Sequence, residues 1–198
     1  MQTMLNHAKS VKKSLRKSLL VFDMPYNTYR SIKESKKNAK KVIRDVKCDA
    51  VKIESNERNY NIVKSLVKSG IPVMGHIGYT PQFKKKFKVQ GSKNKEEKKL
   101  IHEAKMIERA GAFSIVLECI TKKLATRITN SIKIPTIGIG SSSSCDGQIL
   151  VTDDLLGLSG FYPRFVKKYA NLENIIERAI RKFKKDVRKN KFPKKENN

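Results

Sequence analysis

Apolar and polar positions in this chain fall into short runs that end in the same way. In Phe113-Ser114-Ile115-Val116-Leu117-Glu118-Cys119, small and apolar residues lead into a single carboxylate, entered through Gly111 and Ala112. The run is too short and too rich in β-branched residues for a helix, so it predicts a buried strand. A period of two puts Ser114, Val116 and Glu118 on one face and Ile115 and Leu117 on the other. The pattern recurs. Ser18 to Asp23 ends in an acid, Ala50 to Glu54 in a base and an acid two apart, Ile71 to His76 in a histidine, and Ile134 to Gly140 in glycines. Gly147 to Thr152 supplies a last strand. Short buried strands with polar residues at their carboxyl ends, separated by helix-length segments, predict an α/β fold of the (β/α)8 TIM-barrel type. The site is then expected on the face formed by the strand ends.

Helical spacing fills the intervals. Met4, Leu5, Ala8 and Val11 open the chain on a helix. Tyr26 to Asp49 holds a long basic helix whose inward positions are Ile32, Ala39, Val42, Ile43 and Val46. Asn56 to Lys68, Glu96 to Ala110 and Thr121 to Asn130 read as three more helices. Leu172, Ile175, Ile176, Ala179, Ile180, Phe183 and Val187 mark an amphipathic closing helix. Gly78 to Asn94 has no clear period and is expected to be a lid or binding loop. Six strands are recognisable where such a barrel closes with eight, so part of the fold is absent. Residues 1–188 are therefore expected to form an incomplete TIM-barrel catalytic domain, and 189–198 a basic, disordered tail.

Composition narrows the partners. The net charge is +26, which raises nucleic acid or an anionic surface as a partner class. Against nucleic acid, the 34 lysines far outnumber the 10 arginines and are spread along the chain, whereas phosphate reading favours the arginine fork. Cys48, Cys119 and Cys145 show no C-x-x-C spacing and fit a reducing compartment. No apolar run is long enough to cross a bilayer, so no membrane partner is expected. The first 17 residues lack the apolar core of a secretory signal, so a cytoplasmic location is expected.

Candidate chemistry sits at the strand ends. Asp23 and Glu54 end neighbouring strands, where their oxygens could share one hard cation such as Mg2+. Lys52, one pleat deeper, could meet a substrate carboxylate. The alternative is an ion network that only satisfies buried charge. Glu118, with apolar flanks, suits a general acid/base, or else pairs with a lysine such as Lys122. His76 could hydrogen-bond a substrate oxygen or be held by backbone partners in the core. Gly138 to Ser144 could cradle an anion with backbone N–H groups, although turn geometry alone would select its glycines.

Several blocks are more specific. Val73-Met74-Gly75-His76-Ile77-Gly78-Tyr79-Thr80-Pro81-Gln82 closely resembles a signature of the ketopantoate (3-methyl-2-oxobutanoate) hydroxymethyltransferase family. So do Lys88 to Gly91, Gly111 to Cys119, Ile134 to Gly140, Cys145 to Val151, Leu20 to Pro25 and Pro163 to Phe165. The resemblance implies hydroxymethyl transfer from 5,10-methylenetetrahydrofolate to 3-methyl-2-oxobutanoate, giving 2-dehydropantoate in pantothenate synthesis. It implies a Mg2+ that chelates the keto-acid, with Asp23 contacting metal and keto-acid, Glu54 ligating the metal and Lys52 holding the keto-acid. Glu118 would be the enolising base, and His76 a substrate-binding neighbour. A homo-oligomer is implied as well.

The departures from the family are also definite. The two strands that precede Leu19 to Asp23 in the family, the second ending in an Asp-Ser pair that supplies another metal ligand, are missing. Ser141 to Ser144 replace a glycine-rich loop. Two other readings follow: a degenerate, non-catalytic relative, or a basic nucleic-acid-binding protein on a barrel remnant. The phosphoenolpyruvate mutase/isocitrate lyase type of Mg2+ barrel competes on fold logic alone.

Overall fold

The computed structural model describes residues 1–84 and 86–193. It divides into two compact units, Met1–Ile149 and Leu150–Asn198, a finer division than one body over residues 1–188. Residues 194–198 of the expected tail lie outside the described residues.

The first unit is a single parallel sheet in sequential order, β1 (Val21–Asp23), β2 (Ala50–Glu54), β3 (Val73–Gly78), β4 (Ser114–Glu118), β5 (Thr136–Ile139) and β6 (Gly147–Gln148). Helices α1 (Gln2–Ser14), α2 (Ile32–Val46), α3 (Tyr60–Val67), α4 (Asn94–Arg109) and α5 (Lys122–Thr129) precede and connect the first five strands. This is the strand–helix alternation of a (β/α) barrel, with six of its strands present among the described residues.

The pleat sorts the strands into two faces. Val51, Ile53, Val73, Ile77, Ile115 and Leu117 are fully buried and alternate along their strands with Lys52, Glu54, Met74, His76, Ser114, Val116 and Glu118. Ala39, Val42 and Val46 of α2, Ile62, Val63 and Leu66 of α3, Leu100, Ala104 and Ile107 of α4, and Leu124, Ala125 and Ile128 of α5 join the same apolar core. Gly75 brings α4 close to β3, since a Cβ there would lie 2.6 Å from the Ile107 side chain.

Three expectations need correction. Ile32 is 45% exposed, because Ser31 caps α2 by accepting the Glu34 N–H, which places Ile32 in the first helical position. The buried stripe starts a turn later, at Ser35. The strand over Gly147–Thr152 shrinks to Gly147–Gln148. Ile149 makes one more bond to the Gly138 carbonyl, and Thr152 already starts helix α6 (Thr152–Leu156). The helix expected over Asn56 to Lys68 starts later, at Tyr60.

In the second unit, Gly157 takes a left-handed conformation (φ +74°) and closes α6, with the Leu158 N–H donating to the Asp153 carbonyl. Helix α7 (Leu172–Arg188) is amphipathic as its spacing predicts, and Ile175, Ile176, Ile180, Phe183 and Val187 are exposed.

Candidate active site

The pairing register sets the site. Asp23 lies beside Lys52, Glu54 beside His76, and Gly78 beside Glu118, so the polar residues of four neighbouring strands gather at their carboxyl ends. Lys52 Nζ lies 2.8 Å from Asp23 Oδ2 and 3.4 Å from His76 Nδ1. His76 Nε2 lies 3.2 Å from Glu118 Oε2. Asp23, Lys52, His76 and Glu118 therefore form one continuous row of contacts. Lys122 has no part in the Glu118 contact; the carboxylate faces the histidine instead.

Donor and acceptor chemistry assigns the histidine. An ammonium only donates, so His76 Nδ1 accepts from Lys52 and the ring proton resides on Nε2, directed to the Glu118 side. The ring is 1% exposed, and burial pushes its pKa below the ordinary imidazole value. The Nε2–H does not align well on the Glu118 oxygen, which leaves Nε2 without a well-aligned partner among the described residues.

Glu54 is 1% exposed. Burial pushes its carboxyl up to about 7; Lys52 and the Gln82 N–H pull it down, and the charges of Asp23 and Glu118 push it up. The Gln82 N–H donates to both Glu54 oxygens, at 3.0 and 3.3 Å. Asp23 Oδ1 is buried and has no partner among the described residues.

These features fit a hard divalent cation. Three carboxylates face one ammonium, one carboxylate oxygen is buried without a donor among the described residues, and burial holds the Glu54 carboxyl against ionisation. Among the described residues, no three carboxylate, histidine or cysteine side chains converge to wrap an ion. Asp23 and Glu54 are the two carboxylates that could hold an ion such as Mg2+, which takes water and substrate oxygens in its other positions.

The glycine at the end of β3 shapes the approach. Gly78 has φ +100°, and a Cβ there would lie 2.1 Å from the Glu118 carbonyl oxygen, which instead accepts the Tyr79 N–H at 2.8 Å. The segment after β3 thereby stays against β4, and the Gln90 N–H bonds the Cys119 carbonyl. Lys84 Nζ donates to the Gly78 carbonyl at 2.6 Å.

The hydroxyls of the serine run are used within the fold. Ser141 donates to the Leu117 carbonyl and accepts the Ile120 N–H, and Ser142 bonds Thr126 and the Ser144 N–H. These hydroxyls fasten the loop to β4 and α5. His7 lies on α1 and His102 on α4, away from the strand ends. Spacing did not single out Tyr29 or Gln82, although Gln82 falls inside the longest resembling block. A cavity of about 860 Å3 lies outside the row, lined by residues including Tyr26, Tyr29, Phe83, Lys99 and Glu103 and by none of the five strand-end residues.

Residues 1–195 match the family model described as ketopantoate hydroxymethyltransferase. A Pelagibacter ubique protein named 3-methyl-2-oxobutanoate hydroxymethyltransferase is 53% identical over 190 residues, covering 96% of this chain and 74% of its own length. A Thermotoga maritima protein of the same name is 48% identical over 198 residues, covering 98% of this chain and 73% of its own. The carboxyl transferase domain of Rhizobium etli pyruvate carboxylase aligns with a TM-score of 0.52 at 14% identity, over 68% of this chain and 24% of that one, a likeness of fold alone. With the strand-end residues gathered as the resembling blocks require, the chain belongs to the ketopantoate hydroxymethyltransferase family.

Proposed function

We propose that this chain is a 3-methyl-2-oxobutanoate hydroxymethyltransferase of pantothenate biosynthesis. It takes the one-carbon unit from 5,10-methylenetetrahydrofolate and forms 2-dehydropantoate. Family membership supports the reaction class. The observation that carries the residue roles is the contact row from Asp23 through Lys52 and His76 to Glu118.

Asp23 and Glu54 would hold Mg2+. A cation held there would polarise the keto-acid carbonyl and acidify the adjacent C–H. Lys52 offers its ammonium to the keto-acid carboxylate while its contact with Asp23 keeps it at the mouth. Glu118, whose side chain is 20% exposed, can reach the substrate and takes the proton from the carbon next to the carbonyl. The electron pair of that C–H bond then forms the new C–C bond to the one-carbon unit, whose two C–N bonds to the folate break. Water supplies the hydroxyl, and tetrahydrofolate leaves with the proton taken from carbon and the second proton of water on its two nitrogens. His76 directs its Nε2–H to the Glu118 side. It stays neutral, so it does not compete with the base for the proton.

The test is 2-dehydropantoate formation by the purified chain and by Glu118→Gln. Loss of a general base removes ~100- to 10,000-fold of rate. Turnover in the variant is expected to fall by that much while Mg2+-dependent keto-acid binding persists. Unchanged turnover would take the base role away from Glu118.

A further inference from the structure

One residue outside the row bonds Glu54 through its main chain and the carbonyl next to Asp23 through its side chain. Gln82 lies in the turn after β3, where the Thr80 carbonyl accepts the Phe83 and Lys84 N–H groups and directs the Gln82 N–H inward. That N–H is the donor to both oxygens of Glu54. The Gln82 side chain reaches the other way. Its Nε2 donates to the Met24 carbonyl at 3.0 Å, one residue past Asp23, and its Oε1 accepts the Tyr29 hydroxyl at 2.6 Å. The amide orientation follows from chemistry: a carbonyl only accepts, so the NH2 faces Met24 and the phenol must donate to the oxygen. Tyr29 is 4% exposed, and burial pushes its pKa up, so the phenol keeps the proton it donates. Phe83 packs edge-on against the Tyr26 and Tyr29 rings, at 6.0 and 6.5 Å between centroids, which seats the turn.

We infer that Gln82 is a positioning residue that sets the spacing of Asp23 and Glu54, with Tyr29 fixing its amide. The inference rests on the reading of those two carboxylates as the cation pair. The main-chain N–H orients Glu54, and the side-chain bonds decide where that N–H sits relative to the end of β1. A partner of this kind, removed from behind a metal ligand, weakens binding by ~10- to 100-fold.

The experiment is Mn2+ binding to the metal-free, full chain, read from the electron paramagnetic resonance of free Mn2+ well below the unfolding midpoint. Gln82→Met keeps the bulk and removes both side-chain bonds; it is expected to weaken Mn2+ binding ~10- to 100-fold. Tyr29→Phe removes one bond and is expected to weaken binding less, with the same sign. It keeps the test decisive if Gln82→Met does not fold. A lowered unfolding midpoint with unchanged Mn2+ affinity would make Gln82 structural only and overturn the inference. Failure of the unaltered chain to bind Mn2+ would overturn the cation-pair reading itself, and this inference with it.

Discussion

Glu54→Gln is expected to make the metal-free chain more stable while removing one of the two proposed cation ligands. The folded protein raises this carboxyl from its ordinary 4.5 to about 7, chiefly by burial. That rise corresponds to ~3 kcal/mol held against the charged form. The folded value lies above the unfolded one. Below about pH 4.5 the acid is neutral in both states and imposes no penalty; the penalty grows as pH rises and is complete above about pH 7. Glutamine has the same shape, cannot ionise, and can still accept the Gln82 N–H through its oxygen. Lys52 loses an attractive neighbour, which trims the gain. The variant should therefore match the unaltered chain near pH 4 and exceed it by ~1–3 kcal/mol near pH 8. For a chain of this size, each kcal/mol is worth about 2–4 °C in the unfolding midpoint. Urea denaturation in chelator, followed by circular dichroism from pH 4 to 8, measures the difference. An identical pH dependence for both proteins, or a variant less stable at pH 8, would refute the reasoning.

Two further outcomes follow from the same geometry. Gly78→Ala would push a Cβ to 2.1 Å from the Glu118 carbonyl at a backbone angle of φ +100°. A loss of more than ~3 kcal/mol is expected in a denaturant titration, and a loss under ~1 kcal/mol would contradict the close approach. Nitrogen-15 NMR of His76 should show the Nε2–H form, charging only below the ordinary imidazole value, because burial lowers its pKa. The stability tied to keeping it neutral is present above about pH 6.5 and is lost as pH falls through the lowered folded value. An Nδ1–H form, or charging at or above pH 6.5, would contradict the Lys52 contact.

Strand identities and the strand-end carboxylates are legible in the sequence because a two-residue period fixes faces. Phe22, Ile53 and Leu117 could face only the helices once Asp23, Glu54 and Glu118 were read as ending their strands. Legibility failed where tertiary pairing decides. Ile149 and Val151 carry strand-forming side chains, but pairing with β5 stops after Gln148 and Ile149. The chain then turns into α6, and both residues stay exposed, at 56% and 52%. That the Ser141 and Ser142 hydroxyls would bond Leu117 and Thr126 could not be read from the run, because those partners lie 24 and 16 residues away. Gln82 could not be found from periodicity, because it acts from an irregular turn through partners 28, 53 and 58 residues away. Only its place beside Thr80-Pro81 in the resembling block marked it.

The measurement that bears most directly on the chemistry assigned to the row is deuterium exchange without the folate. The unaltered chain, incubated in D2O with Mg2+ and 3-methyl-2-oxobutanoate, is expected to exchange the hydrogen on the carbon next to the carbonyl, as followed by proton NMR. Glu118→Gln is expected to bind the keto-acid and leave that hydrogen in place. Exchange at equal rates in both proteins would contradict the role given to Glu118.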